Sequence, residues 1–262
     1  MTRYLRLLAI QLRISVAAAM AYRANFILEG LMTVVWMALT LLPLIVLFDG
    51  RTSVAGWDAP SAMVVIAYFM AIRAILEGVV SPSLVSLVEK IRSGSFDYVL
   101  LKPVDAQAMV TASQFEPWKI FDLIGALALV VYAFVRRGHA PTPGSIALGL
   151  VLLIAGVIAM YSLWIVCAAA SFWVGRLDNL MYLLGAIFDT ARWPVQVFRG
   201  AWRYVFTFII PVALMTTFPA MALLGRIDLR TAIGTVAGAL AMLLISRLIW
   251  TSAIRNYTSA SS

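Results

Sequence analysis

Charge is what this sequence has least of. Among 262 residues, Asp and Glu number 12 and Lys and Arg 20, while hydrophobic types make up 63%. A soluble domain carries about 25% charged residues; here the share is 12% and mean hydropathy is +0.96. So little charge cannot keep a surface in water, and the chain reads as an integral membrane protein. Cysteine and histidine occur once each, Cys167 in an apolar run and His139 beside Pro141 and Pro143. One of each excludes an internal disulfide framework and any Cys- or His-built metal site, so no metal ligands are expected. No Gly-x-x-x-x-Gly-Lys-Ser/Thr loop occurs, which excludes ATP hydrolysis of that type by this chain. With so few carboxylates besides, an intramembrane enzyme has little to build an acid–base pair from. The ten-residue alternation of a membrane β-barrel is absent too.

What is present is apolar runs of 20 residues or more, the length of a membrane-crossing helix. They predict spans over 24–48, 59–81, 118–135, 145–174, 179–198 and 231–250. Residues 1–23 mix Arg3, Arg6 and Arg13 with leucines, too charged to cross but suited to an amphipathic helix in the headgroup plane. Residues 204–224 are apolar but broken by Pro211 and Pro219, which fits a re-entrant helical hairpin. The predicted architecture is an all-α membrane domain of six spans with both ends in the cytoplasm. Lys and Arg favour that orientation only weakly, since the loop Arg136-Arg137 falls on the outer side. The net charge of +8 is scattered, without the basic–aromatic array of a nucleic-acid binder, and fits contact with anionic lipid.

One stretch, residues 83–114, is polar between apolar flanks. Gly94 suits the left-handed end of one helix, and Pro103 forces the residue before it out of helical geometry. Phe96 to Leu101 is thus predicted to be a short helix between two stops, a knob that either presses into a partner or is an ordinary polar loop. Elsewhere Arg73 and Glu77, four apart, and Asp189 and Arg192, three apart, are spaced to pair on one helix face. Isolated charges in hydrocarbon are costly, so these are predicted intramembrane ion pairs, structural or part of gating.

Ile-Arg-x-Gly-x-Phe-Asp-x-x-Leu-Leu-Lys-Pro-Val, here Ile91 to Val104, resembles the signature of a branch of bacterial type-two ATP-binding cassette permeases. Phe206-Thr-Phe-Ile-Ile-Pro-Val-Ala-Leu with Pro219-Ala220, and Asn256-Tyr-Thr-Ser-Ala260, are similar to that branch as well. The resemblance spans essentially the whole chain. It implies an exporter subunit in the bacterial cytoplasmic membrane, paired with a second permease, identical or paralogous. It also implies that the knob is a coupling helix on a separate ATPase dimer, which would hold the ATP and Mg; this chain itself would carry no cofactor. Glu89, Arg92, Asp97 and Lys102 would then face charges of the ATPase, and Phe96, Val99 and Leu100 would supply contact area, with Gly94 and Pro103 framing the turn. Scarce charge in the spans suits an amphipathic or lipid-like substrate. The alternatives are a carrier or channel independent of ATP, for which Arg73–Glu77 and the twin prolines speak, and a non-transporting regulatory subunit.

Overall fold

The computed structural model describes residues 2–21, 23–111, 113–173 and 178–257. Among these the regular elements are all helical: α1 (Thr2–Ala21), α2 (Arg23–Phe48), α3 (Ala59–Ile75), α4 (Ser81–Arg92), α5 (Asp97–Leu100), α6 (Ala106–Thr111), α7 (Ile120–Arg137), α8 (Pro143–Ala170), α9 (Asp178–Phe188), α10 (Ala201–Tyr204), α11 (Phe218–Leu223) and α12 (Leu229–Arg255). Helix ends follow local chemistry. Gly138 closes α7 at φ +74°, Thr142 and Pro143 open α8, and the Asp228 carboxylate accepts from Thr231 N–H at 2.9 Å to open α12.

The described residues hold five helices long and apolar enough to cross a membrane. The predicted span 179–198 takes another form: α9 stops at Phe188, Asp189–Arg192 is a 3-10 turn, and Trp193 is extended. Trp193 precedes Pro194, which disfavours helical geometry there. Residues 174–177, with Arg176, lie outside the described residues, as do 258–260 of the C-terminal motif. The stretch 204–224 is two helical arms parted at Ile210 (φ −114°, ψ 92°), the residue before Pro211.

The span and the polar segment are one rod. α3 and α4 join through a π-helical turn, Leu76–Val80, into 34 continuous helical residues, Ala59–Arg92. Pro82 explains how this turn is tolerated. Lacking an N–H, it leaves the Gly78 carbonyl without its helical donor, and Glu116 N–H fills the place at 2.8 Å. The chain preceding α7 is thereby hydrogen-bonded to the rod.

α8 is the centre of the fold, packed along α12, α11 and the π turn Ala213–Thr217. Its buried face is rich in small residues, Ala155, Gly156, Ala159, Ala168 and Ala169, which let neighbouring backbones approach. α3 is central too: its most apolar window is 67% buried, against 6% for α2. α2 therefore turns most of its apolar surface outward, to lipid or to another chain.

Candidate functional site

The knob is built from the end of α4. Gly94 turns left-handed at φ +73°. Its N–H donates to Ile91 C=O at 3.3 Å and Phe96 N–H to Lys90 C=O at 3.0 Å, so the chain reverses within a few residues. α5 follows, and Lys102-Pro103 ends it. Phe96 is 0% exposed. Its ring meets Phe172 at 5.4 Å, Tyr257 at 5.5 Å and Trp250 at 6.5 Å, all edge-on. Phe172 in turn meets Trp250 and Tyr257. Each such pair adds about 0.5–1.5 kcal/mol beyond burial, so the knob is bolted to the ends of α8 and α12. Burial first, then the nearby Asp97 carboxylate, raise the Tyr257 phenol above its ordinary pKa.

A second fastening lies just beyond. Asp105 caps α6, accepting from Ala108 N–H at 3.0 Å, and is gripped by both terminal nitrogens of Arg247 on α12. Those hydrogen bonds are the main reason its carboxyl titrates below the usual range. Arg247 also donates to Gln107 Oε1 at 2.7 Å, and Gln107 Nε2 to the Tyr161 hydroxyl of α8 at 3.0 Å. What remains outward on the knob is Tyr98 (71% exposed), Leu101 (79%) and, less so, Leu100 (40%). Around them stand the exposed pair Glu89–Arg92 at 3.6 Å and the exposed Lys102.

Deeper in the rod, charges gather around Glu77. Lys119 Nζ donates to its Oε2 at 2.6 Å and Arg73 Nε to its Oε1 at 2.7 Å. Arg73 reaches Asp189 at 3.5 Å, Arg192 reaches the same carboxylate at 3.2 Å, and Lys119 reaches Asp122 at 3.5 Å. Six side chains from α3, the π turn, α7 and its approach, and the 189–192 turn thus form one network. The guanidinium groups of Arg73 and Arg192 also lie over the Phe69 ring, at 6.0 and 5.5 Å.

Three clefts share Glu77 in their walls. One of about 930 Å³ runs beside α4 past Ser86, Glu89 and Ser95. A second of about 430 Å³ lies between α2 and the charge network, and a third of about 450 Å³ lies against Met160, Trp164 and Phe188. Glu116 borders the first; burial, with Glu77 and Glu29 adding to it and Lys119 opposing, lifts its pKa above the usual carboxylate range.

Residues 34–261 match a family model described as ABC-2 family transporter protein. The chain belongs to that family. Neither a curated protein nor a solved structure matched it. As an ABC-2 protein it is a multi-pass permease subunit of an ABC transporter, a class that works with an ATPase subunit.

Within this permease the sequence-predicted residues fall into two groups. Glu89, Arg92, Leu100 and Lys102 lie on the outer surface of the knob, and Gly94 and Pro103 sit at its two ends. Phe96 and Val99, expected to supply area to a partner, are instead buried in their own chain. Asp97 is half-buried beside Tyr257. Arg73 and Glu77 pair as spaced; Asp189 and Arg192 also pair, but on a 3-10 turn rather than a spanning helix. Pro211 marks the break between the two arms, while Pro219 sits in the first turn of α11 and breaks nothing. Tyr98, Leu101, Lys119 and Arg247 were missed. Phe96 and Val99, three apart, share a helical face, and a shared apolar face ordinarily turns inward, which would have pointed to Tyr98 and Leu101 as the outward residues. No sequence signal links Arg247 to Asp105.

Proposed function

We propose that this chain is the membrane half of an ABC exporter for an amphipathic or lipid-like substrate, driven by ATP hydrolysis on a separate ATPase. The carrying observation is mechanical. The knob stands at the tip of a 34-residue helix and is fastened to α8 and α12 by the Phe96 aromatic cluster and the Arg247–Asp105 clamp. A push on Tyr98, Leu100 and Leu101 then moves three helices together rather than bending a loop. Glu89, Arg92 and Lys102 offer charges to the same partner.

In this reading the knob is cytoplasmic, the membrane is the bacterial cytoplasmic membrane, and both chain ends lie inside. The five long helices and the segment beginning with α9 make six crossings, and 204–224 is a re-entrant hairpin on the outer side. A second permease chain, identical or paralogous, covers the outward face of α2. The clefts that meet at Glu77 lead from the knob toward the spans and would become the substrate path as the two permeases tilt.

The test is co-expression with the products of the neighbouring genes, and purification in mild detergent to see whether an ATPase comes with the chain. The ATPase is expected to remain with the wild-type chain and to be lost with Tyr98→Asp plus Leu101→Asp. A chain that purifies alone and moves substrate in vesicles without ATP would establish the ATP-independent carrier in its place.

A further inference from the structure

We infer that the 430 Å³ cavity between α2 and the charge network is a site for a cationic amphiphile, a protonated amine or quaternary ammonium carrying an apolar chain. This rests on the transport reading and names the class of its substrate.

The cavity has two unlike walls. One holds Arg73, Lys119 and Arg192 with Glu77, Asp122 and Asp189; the other is α2, with Glu29, Met32, Trp36 and Leu39. On the first wall the charges are spent on one another: every base there has a carboxylate within 3.5 Å, and every carboxylate a base. The π-face of Phe69 is occupied as well, by Arg73 and Arg192. Glu29 is different. It is half-buried, lines the cavity, and makes no ion pair among the described residues. It gives the lining four carboxylates against three bases, and an anionic excess in a low-dielectric cleft selects for a cation.

The α2 wall says what accompanies the charge. Glu29, Met32, Thr33, Trp36 and Thr40 recur at helical spacing and so share one face. Trp36 lies two turns from Glu29, about 10 Å along the axis. Trp36 is 65% exposed and, among the described residues, has no guanidinium over its ring. Methionines 32, 37 and 70 line the space, and thioether side chains adapt to apolar chains of variable shape. A head at Glu29 thus has its chain lying along Met32 and Trp36. In the chain by itself α2 is scarcely covered, so such a molecule reaches the cavity sideways from the bilayer rather than through a pore.

The experiment is equilibrium binding, without ATP, to the full chain in nanodiscs. The probe is dodecyltrimethylammonium, with dodecyl phosphate as the anion of equal chain length. Saturable binding of the cation is expected, with only linear partition of the anion. Glu29→Gln should weaken cation binding roughly tenfold. Trp36→Ala should weaken it less and flatten its dependence on chain length, and Trp36→Phe should restore most of that dependence. Glu29→Asp, which keeps the charge, should stay within a few-fold of wild type and shows that the Gln variant fails for want of charge, not of fold. No saturable binding, equal binding of the anion, or binding indifferent to Glu29→Gln each overturns the proposal. Because no ATPase enters this measurement, its failure leaves the coupling reading standing, and loss of ATPase association leaves this site standing.

Discussion

Arg247 and Asp105 lie 142 positions apart and meet as a two-toothed clamp, with Arg247 Nη1 donating to Asp105 Oδ1 at 3.1 Å. The clamp ties the last long helix to the segment that follows the knob. It is partly exposed, so after solvent screening it is worth about 0.2–1 kcal/mol. Its value here is positional rather than thermodynamic. A double-mutant cycle on Arg247→Ala and Asp105→Asn, read by melting in detergent, should return a coupling of that size.

The same pair sets a pH response. Asp105 titrates lower in the folded protein than in the unfolded chain, chiefly because Arg247 bonds its charged form. Its stabilisation is therefore complete above the unfolded carboxylate value of about 4 and is lost as pH falls through the lower, folded value. Melting temperature should drop on acidification below about pH 4 by more in the wild type than in Asp105→Asn, and be equally flat in both above about pH 6.

Phe96 and its outward neighbours should separate cleanly. Phe96→Ala removes a fully buried ring and should cost about 3–5 kcal/mol, loosening the knob while Tyr98 and Leu101 remain to bind a partner. The expected phenotype is an ATPase that still co-purifies but whose hydrolysis no longer drives transport. Tyr98→Asp with Leu101→Asp should leave melting unchanged and abolish co-purification.

Gly156 is irreplaceable for a geometric reason. A Cβ there would stand 2.6 Å from the Met215 carbonyl oxygen and 3.2 Å from its Cα, both backbone atoms that cannot swing aside. Pro219 has taken away the donor that an α-helix would aim at that carbonyl, which leaves room for the helix crossing. Gly156→Ala should cost about 1–3 kcal/mol. Gly234→Ala on α12, with open space around it, should be neutral or slightly stabilising. Paired thermal melts check the contrast.

Glu77 bridges Arg73 and Lys119, so Glu77→Gln strips an exposed arginine and a half-buried lysine of a carboxylate at once. About 1–3 kcal/mol should be lost. Adding Lys119→Gln should recover part of it, because the cluster then returns from three bases against two carboxylates to two against two.

Local chemistry made much of this legible beforehand. Hydropathy placed the long helices; Gly94 and Pro103 framed the knob; the spacing of Arg73 and Glu77 foretold their pair. Less visible were features that depend on distant partners. Whether Phe96 faces in or out depends on Phe172, Trp250 and Tyr257, which no local window contains. Lys119 has its carboxylate partner, Glu77, 42 positions away, beyond the reach of any local pattern. The span expected over 179–198 fails as a single helix at Asp189–Pro194, where polar side chains and a proline outweigh the hydropathy average.

The π turn at Leu76–Val80 holds one more residue than the α-helix around it needs. An α-helix advances about 100° and 1.5 Å per residue. Five residues of the wider turn sweep about the same angle as four of α-helix, so excising one would scarcely shorten or swivel the lever. What the extra residue supplies is slack rather than direction: it belongs to the turn whose spare carbonyl, at Gly78, gives the segment ahead of α7 its handhold on the lever.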